Sequence, residues 1–467
     1  MAMTDQVGDG PRAPVILGLE SELGKSRRDW TIDDLTGLFA SRNIRVLSLM
    51  HVGGDGWLKT LDFVPRSVSH LTDIIEGGER ADGSSLFPGS GIPPDASDIV
   101  LRPRVESAFL DPFSSQPTLV LMCGHAARDG TPLPQSPDTI LRKACELLRR
   151  ETGAELWALG EVEYFLGKRR DESDIYGADD RGYHSTSPFV FGEALRRRAL
   201  ALLADIGVAV KYGHSEVGYI EARETRGVIW EQHEIELALS PLPDAAEGVL
   251  LTQWVLRNLA HQNGMRCSTA PMMEEGHAGN GLHFHFAPVK DGRSLDIQDA
   301  KGELSEASRW LIGGLVQMGG ALMAFGNRVD DSFARLKQGK EAPNAIVWGE
   351  FDRLALVRLP VVTKDADGRL VGSRTIEFRL PDGSALPHLL LAGAALAMVR
   401  GRDTPDLDDL LRQTSTSYRG ERTGIVPRVP RHFPEVAEAI VKYRDTLELG
   451  GTFPPELIDL VVAQLQT

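Results

Sequence analysis

The sequence predicts an α+β protein in which a small β-rich domain precedes a larger mixed α/β domain. Two observations carry that expectation. From Ile44 to about Leu121, short apolar runs (IRVLSLMHV, KTLDFV, DIVLRP, TLVLMC) alternate with turn clusters of Gly, Pro, Ser and Asp. After Pro134-Gln135-Ser136-Pro137 the apolar residues instead recur at helical spacing, with strand-like pieces between the helices. The expected division is a loose polar start over 1–14, a first domain over 15–128 and a second over 129–467.

Each helix has its own signal. Asp138 can cap a segment in which Ile140, Leu141, Ala144, Leu147 and Leu148 share one face, ending near Gly153. Further helical patterns run from about Gly192 to Ile206, from Ala245 to Gln262 with Asn263-Gly264 as a stop, and from Leu304 to Ala324. Between them lie LWALGEVEYFL, HEIELAL, GLHFHFAP, LALVRLP and TIEFRL, and the tail reads as helical. A hydrophilic Gly/Thr/Arg stretch occupies residues 414 to 429.

Composition narrows the function. The chain has 467 residues, with 42% hydrophobic and 25% charged, a balance that excludes a disordered or fibrous chain. A net charge of −15, with no basic block, argues against a nucleic-acid or anionic-membrane partner. Cys123, Cys145 and Cys267 form no C-x-x-C pair, so a reducing cytoplasm is expected. The longest apolar stretch, Leu389 to Val399, is far shorter than the roughly 20 residues that cross a bilayer. No phosphate-binding G-x-x-x-x-G-K-[ST] or strand-linked G-x-G-x-x-G is present, so a nucleotide must be held in another way.

Several strand-like pieces carry charge where apolar residues would serve the fold. In Gly160-Glu161-Val162-Glu163-Tyr164-Phe165 the period of two puts both carboxylates on one side of a strand. A solvated face is the plain explanation, but Leu159, Phe165 and Leu166 make full exposure uncomfortable, and a cation between the two anions would relieve them. His283-Phe284-His285 and Glu377-Phe378-Arg379 alternate likewise. With His233-Glu234 they offer hard oxygens and imidazole, suited to Mg²⁺ or Mn²⁺ rather than structural zinc.

The order of these pieces resembles the type I glutamine synthetase family over about residues 44 to 400. Asp82-Gly83-Ser84-Ser85 looks like D-G-S-S and is followed by Ser-Asp-Ile-Val-Leu-x-Pro and Ala108-Phe109-Leu110-Asp111-Pro112-Phe113. Gly160 to Glu163 resembles G-x-E-x-E, and Gly281 to His285 resembles G-M-H-x-H. Arg335-Leu336 through Glu341-Ala342-Pro343 resembles R-L-x-P-G-x-E-A-P, Asp352-Arg353 to Arg358-Leu359-Pro360 resembles N-R-S-A-x-I-R-I-P, and Ile376 to Asp382 resembles I-E-x-R-x-P-D.

The resemblance implies a β-grasp-like N-terminal domain and a catalytic α/β domain built on a curved antiparallel sheet. It implies an ATP-dependent ligase that phosphorylates the γ-carboxylate of glutamate and amidates it with ammonia. Two to three Mg²⁺ or Mn²⁺ ions per site would bind, Glu163, Glu216 and Glu234 holding one and Glu161, His283 and Glu377 another. Arg353, Arg358 and Arg379 would neutralise the phosphoryl group, with His285 and Arg358 on the nucleotide. Arg335 would take the substrate α-carboxylate beside Ala278 and Gly279. Asp82 and Ser85, from a neighbouring subunit, would receive ammonium, Tyr183 would stand near that pocket, and Glu341 would cover the intermediate. Such a shared site implies hexameric rings or a dodecamer.

Departures from the pattern leave alternatives. The loop reads His277-Ala278-Gly279-Asn280-Gly281 rather than N-G-S-G, Ala287 replaces a usual Ser, and Thr375 replaces a usual Arg. About ten extra residues separate Glu216 from Glu234, which makes Glu221, Glu224 and Glu231 competitors for the metal. Tyr183 is equally readable as a buried turn tyrosine. The same chemistry on an organic amine or another carboxylic acid, and a non-catalytic binding or structural protein, are the competing readings.

Overall fold

The computed structural model describes residues 18–171, 180–221, 227–299, 301–338, 341–368, 371, 374–420 and 428–467. The polar start expected over 1–14, Glu224, and residues 421–427 of the hydrophilic stretch lie outside the described residues.

The first sheet contains β1 (Val46–Val52), β2 (Leu58–Phe63), β3 (Glu79–Asp82), β4 (Asp98–Pro103), β5 (Phe109–Leu110) and β6 (Thr118–Ala126). Its order is β2-β1-β6-β4-β3, with β5 on β6. β1 and β6 are parallel at the centre and the other pairs antiparallel, the arrangement expected of a β-grasp-like unit. Two helices that the turn-rich sequence did not announce lie here. Ile32–Ser41 starts at a capping box, Thr31 accepting from the Asp34 N–H while Asp34 accepts from the Thr31 N–H. Val68–Gly77 starts at Ser67, whose hydroxyl accepts from the His70 N–H. Leu35, Leu38, Leu71, Ile74 and Ile75 pack with Leu47, Leu49, Leu119 and Leu121 in a core of their own.

The second sheet takes β7 (Glu155–Arg169), β8 (Val210–Glu221), β9 (Val228–Leu237), β10 (Ser240–Pro241), β11 (Arg266–Ser268), β12 (Leu282–Lys290), β13 (Arg293–Ser294), β14 (Ala345–Glu350), β15 (Ala355–Leu359) and β16 (Ile376–Phe378). Its path is β14-β15-β16-β12-β7-β9-β8, antiparallel throughout except between β14 and β15. One face is lined with the apolar side chains of a large core, including Val162, Tyr164, Phe284 and Phe286; the other collects the charges.

The helices hold that sheet from behind. Pro137–Thr152 starts from Ser136 rather than Asp138, which is one residue inside the helix, and ends at Gly153 in the left-handed region. Asp138 is spent on ion pairs with Arg104 at 3.1 Å and Arg142 at 3.0 Å. Arg104 also pairs with Glu247, so one guanidinium ties the N-terminal sheet to two helices of the larger body. Glu193–Asp205, Leu242–Gln262 and Glu306–Gly326 lie within three residues of their expected limits. The apolar stretch Leu389 to Val399 is the interior of Pro387–Arg402, a helix buried nearly all round. No helix among the described residues is long and apolar enough to cross a membrane.

Candidate active site

Cross-strand register assembles the charges. On β7, Glu161 and Glu163 point to the same face, as their spacing requires. Glu161 stands opposite His283 of β12 and Glu236 of β9, and Glu163 stands opposite Glu234. On the flanks His285 stands opposite Glu377, Arg358 opposite Glu377, and His214 opposite Glu234. Directly opposed residues have Cβ atoms about 5 Å apart, so each pairing is a contact.

Two clusters result, each with ligand atoms within 4.8 Å of one another: Glu161, His283 and Glu377, and His214, Glu216 and Glu234. A third, Glu161, Glu234 and Glu236, joins them. His283 Nδ1 lies 2.9 Å from Glu161 Oε2 and 3.6 Å from Glu377 Oε1, while His285 Nε2 lies 2.9 Å from Glu161 Oε1. The other nitrogen of His285 meets Thr375 Oγ1 at 2.9 Å, so the threonine that replaces a usual arginine orients this imidazole. Glu163 Oε2 accepts from the Gly281 N–H at 2.7 Å and from Gln232 Nε2 at 3.1 Å. A Cβ on Gly281 would come within 2.6 Å of the His283 ring and 2.9 Å of the Arg335 guanidinium, so a side chain there would push on both groups.

Electrostatics show what the cluster lacks. Burial pushes the Glu161 carboxyl up, but His285 and His283 together hold it well below the usual value. Glu163 is raised by burial against the Gly281 N–H, and Glu234 is raised well above the usual value by burial and by the carboxylates around it. Glu216 is pushed up to about 7 by burial and by Glu163. Burial and Arg379 lower His283 to about 4, which keeps it neutral and fit to coordinate. Glu377 is fully buried, and its Oε2 accepts no hydrogen bond: Arg358 Nε is 2.6 Å away but its N–H is not aimed at that oxygen. Crowded oxygens, neutral imidazole and an orphaned carboxylate oxygen fit hard divalent cations.

Arginines flank the second edge. Arg379 pairs with Glu377 through Nη1 and donates to the Glu341 carbonyl at 2.8 Å and, through Nε, to the Arg353 carbonyl at 3.1 Å. Arg353 donates to Glu341 Oε2 at 2.7 Å, and Glu341 sits at φ 55°, a strained value for a non-glycine residue. Arg335 is buried; its Nη2 lies 3.2 Å from His283 Nε2 and its Nη1 donates to the carbonyls of Leu380 and Pro381. Ala278 and Gly279 are half-buried in the preceding loop, where Gly279 O accepts from Gln232 at 2.9 Å.

Three expectations change. His233 points away from the site: its ring is fully buried, stacked on Tyr164 and bonded to Glu231 and Arg196. Strand alternation demands this, because Glu234 and Glu236 occupy the other face. Among the competitors for the metal, Glu231 caps the backbone N–H groups of Phe191 and Gly192, and Glu221 pairs with Arg170 on the surface. Between Glu216 and Glu234 the β8–β9 pairing carries a register shift, a bulge between Ser215 and Tyr219. Tyr183 is 50% exposed, not buried at a turn.

Asp82 and Ser85 are not brought to the cluster. Asp82 lies at the edge of the first sheet, its carboxylate accepting from Ser84 Oγ at 2.7 Å and Ser85 Oγ at 2.6 Å, and these hydroxyls hold it well below the usual range. His214, Glu236 and Gln232 belong to the site and were missed. Their signal was the alternation already used for Glu161 and Glu163, repeated in His214-Ser215-Glu216 and Glu234-Ile235-Glu236.

Comparison with known proteins shows the family. Residues 134–459 match the model of the glutamine synthetase catalytic domain. Glutamine synthetase of Methylococcus capsulatus is 30% identical over 420 residues, covering 82% of this chain and 85% of that protein. The Salmonella typhimurium enzyme is 27% identical, covering 84% and 86%. Among solved structures, Plasmodium falciparum glutamine synthetase superposes with a TM-score of 0.76 at 20% identity, covering 94% of this chain and 95% of that one. A structure described as apo GmaS without ligand gives 0.71 at 20% identity, covering 92% and 94%.

Proposed function

The chain belongs to the glutamine synthetase family of ATP-dependent ligases, and from that premise we propose that it activates the γ-carboxylate of glutamate and joins it to nitrogen, ammonia being the simplest donor. The observation that carries the reading is the pair of carboxylate–imidazole clusters sharing one sheet face beside Arg358 and Arg379. Glu161, His283 and Glu377 would hold one divalent ion, and Glu216 and Glu234, with His214 beside them and Glu163 opposite Glu234, a second. Such ions, when bound, screen phosphate oxygens from the incoming carboxylate.

The residues of the chain then have separate tasks. Arg358, Arg379 and Arg353 neutralise the phosphoryl group in flight, with His285 and Arg358 at the nucleotide. Arg335 meets the substrate α-carboxylate beside Ala278 and Gly279, its planar fork matching two oxygens. A γ-carboxylate oxygen attacks the terminal phosphorus of ATP and ADP leaves. The nitrogen lone pair then attacks the acyl carbon, the carbon–oxygen bond to phosphate breaks, and a carboxylate takes the nitrogen's proton. Glu341, tied to Arg353, shields that acyl phosphate from water.

Asp82 is the proposed proton acceptor, with Ser85, from a neighbouring subunit in a hexameric ring or dodecamer. Its exposure at the edge of the first sheet, with no bond to the cluster, supports a role in trans. A cytoplasmic setting and the division near residue 128 go with this reading. The test is ADP release with glutamate, a nitrogen donor and Mg²⁺ or Mn²⁺. No glutamate-dependent release with any nitrogen donor would overturn the proposal. A second reading, an organic amine in place of ammonia, is favoured by the exposed ring of Tyr183 and by the altered loop His277 to Gly281.

A further inference from the structure

Tyr212 and His214 alternate on β8 and so share a face, opposite Glu236 and Glu234 respectively. A loop brings Tyr183 and His184 against them. That loop is pinned to β8 by three hydrogen bonds: Gly182 N–H to Val217 O at 3.1 Å, His184 N–H to Ser215 O at 3.0 Å, and Ser215 Oγ–H to Ser185 O at 2.7 Å. His184 takes φ 56°, which turns the chain there. Tyr183 stacks on His184 with centroids 4.2 Å apart, His184 meets His214 edge-on at 4.6 Å, and Tyr212 tilts against His214 at 5.9 Å. The result is a continuous wall of four rings.

The wall borders the carboxylates. His214 Nε2 lies 3.1 Å from Glu234 Oε1, and His214 Nδ1 lies 3.9 Å from Glu216 Oε1. Tyr183 and Tyr212 nonetheless keep 50% and 45% of their surface exposed. The chain itself demonstrates what such a surface accepts. The ammonium of Lys211 lies 5.1 Å from the centre of the Tyr212 ring and 2.5 Å from Glu236 Oε1, an alkylammonium held between an aromatic face and a carboxylate. An ammonium ion would share the attraction of its charge to a ring face but has no carbon to lay on the rings, whereas a carbon chain would in addition cover the exposed faces.

We propose that the nitrogen donor is a primary organic amine whose short carbon chain lies along Tyr183, His184 and Tyr212, with its nitrogen directed toward the Glu216 side of the site. The inference rests on the ligase reading and narrows its nucleophile. The free amine forms the C–N bond with its lone pair, the acyl C–O bond breaks with its electrons leaving on phosphate, and the amine proton goes to the Asp82 carboxylate. The product is a γ-glutamyl secondary amide. Methylenes covered by the rings supply the discrimination, roughly tenfold or more for each one well buried.

The test compares kcat/KM for ammonium, methylamine, ethanolamine, butylamine and putrescine with the full chain, ATP, glutamate and Mg²⁺ at one pH. At least one longer amine should exceed ammonium by about tenfold or more. His184→Ala and Tyr212→Ala should each raise the KM for that amine about tenfold. Tyr212→Phe, which keeps the ring, should retain it, and the KM for ATP should be unchanged in all three. Ammonium as the best donor, or ring variants that weaken ammonium and amine alike, would overturn the inference while leaving the ligase reading in place. Absence of glutamate-dependent ADP release with every donor would instead remove the ligase reading and this inference with it.

Discussion

Replacing Glu216 by Gln makes the electrostatic reading of the site measurable. The Glu216 carboxyl is pushed from 4.5 up to about 7 by burial and by the neighbouring Glu163. A shift of that size corresponds to roughly 3 kcal/mol of penalty on the ionised form. A raised folded-state value means that the penalty is absent below about pH 4.5, where the group is protonated folded or unfolded, and that stability is lost as pH rises through about 7. Glu216→Gln keeps the shape and removes the charge. In EDTA the variant should therefore match the wild type near pH 4.5 and exceed it by up to roughly 3 kcal/mol at pH 8. Millimolar Mn²⁺ should reverse the order, because it compensates the ionised wild-type carboxylate and gains less from an amide. Urea unfolding of both proteins at equal concentration, at the two pH values, with and without Mn²⁺, supplies the comparison; the difference between the proteins cancels the common titrations. Equal destabilisation of the variant at both pH values, with Mn²⁺ stabilising both chains alike, would refute the reasoning.

The remaining expectations concern separate links. Glu163→Ala should abolish ADP release and weaken Mn²⁺ binding while leaving the far-ultraviolet dichroism unchanged, which calorimetry and activity together can check. Asp82→Ala should spare acyl-phosphate formation but impair amide production, so glutamate-dependent ATP hydrolysis should outlast product formation. Arg104→Met should cost about 1–3 kcal/mol, because the half-buried Glu247 would lose its cation while Asp138 keeps only Arg142. A lower urea midpoint with glutamate and ATP KM unchanged is the result expected.

Much of the site could be read from residue order because strand alternation is local. Glu161-Val162-Glu163 dictates a shared carboxylate face whatever the strand pairs with, and His283-Phe284-His285 does the same for two imidazoles. The limits of Glu193–Asp205 and of Leu242–Gln262 likewise follow from apolar spacing and from Asn263-Gly264. The N-terminal helices escaped notice because Thr31-x-x-Asp34 and Ser67 cap only ten-residue segments, one just ahead of the turn-rich region and one inside it.

Composition and periodicity thus predict an α+β body with carboxylates paired on strand faces, since those properties depend on neighbours along the chain, and the resemblance in motif order is what implied the ligase family. Which carboxylates meet, and what each imidazole does, is set by register between strands distant in sequence. His233 and His214 look equivalent on paper; alternation beside Glu234 turns the first into the core, but only the β8–β9 register places the second on Glu234. Glu216 is separated from Glu221 and Glu231 by the same cause, and the ring wall exists only because a loop and β8 are hydrogen-bonded edge to edge. Contacts across space carry no signature in a single chain's order, so only the folded arrangement could assign them.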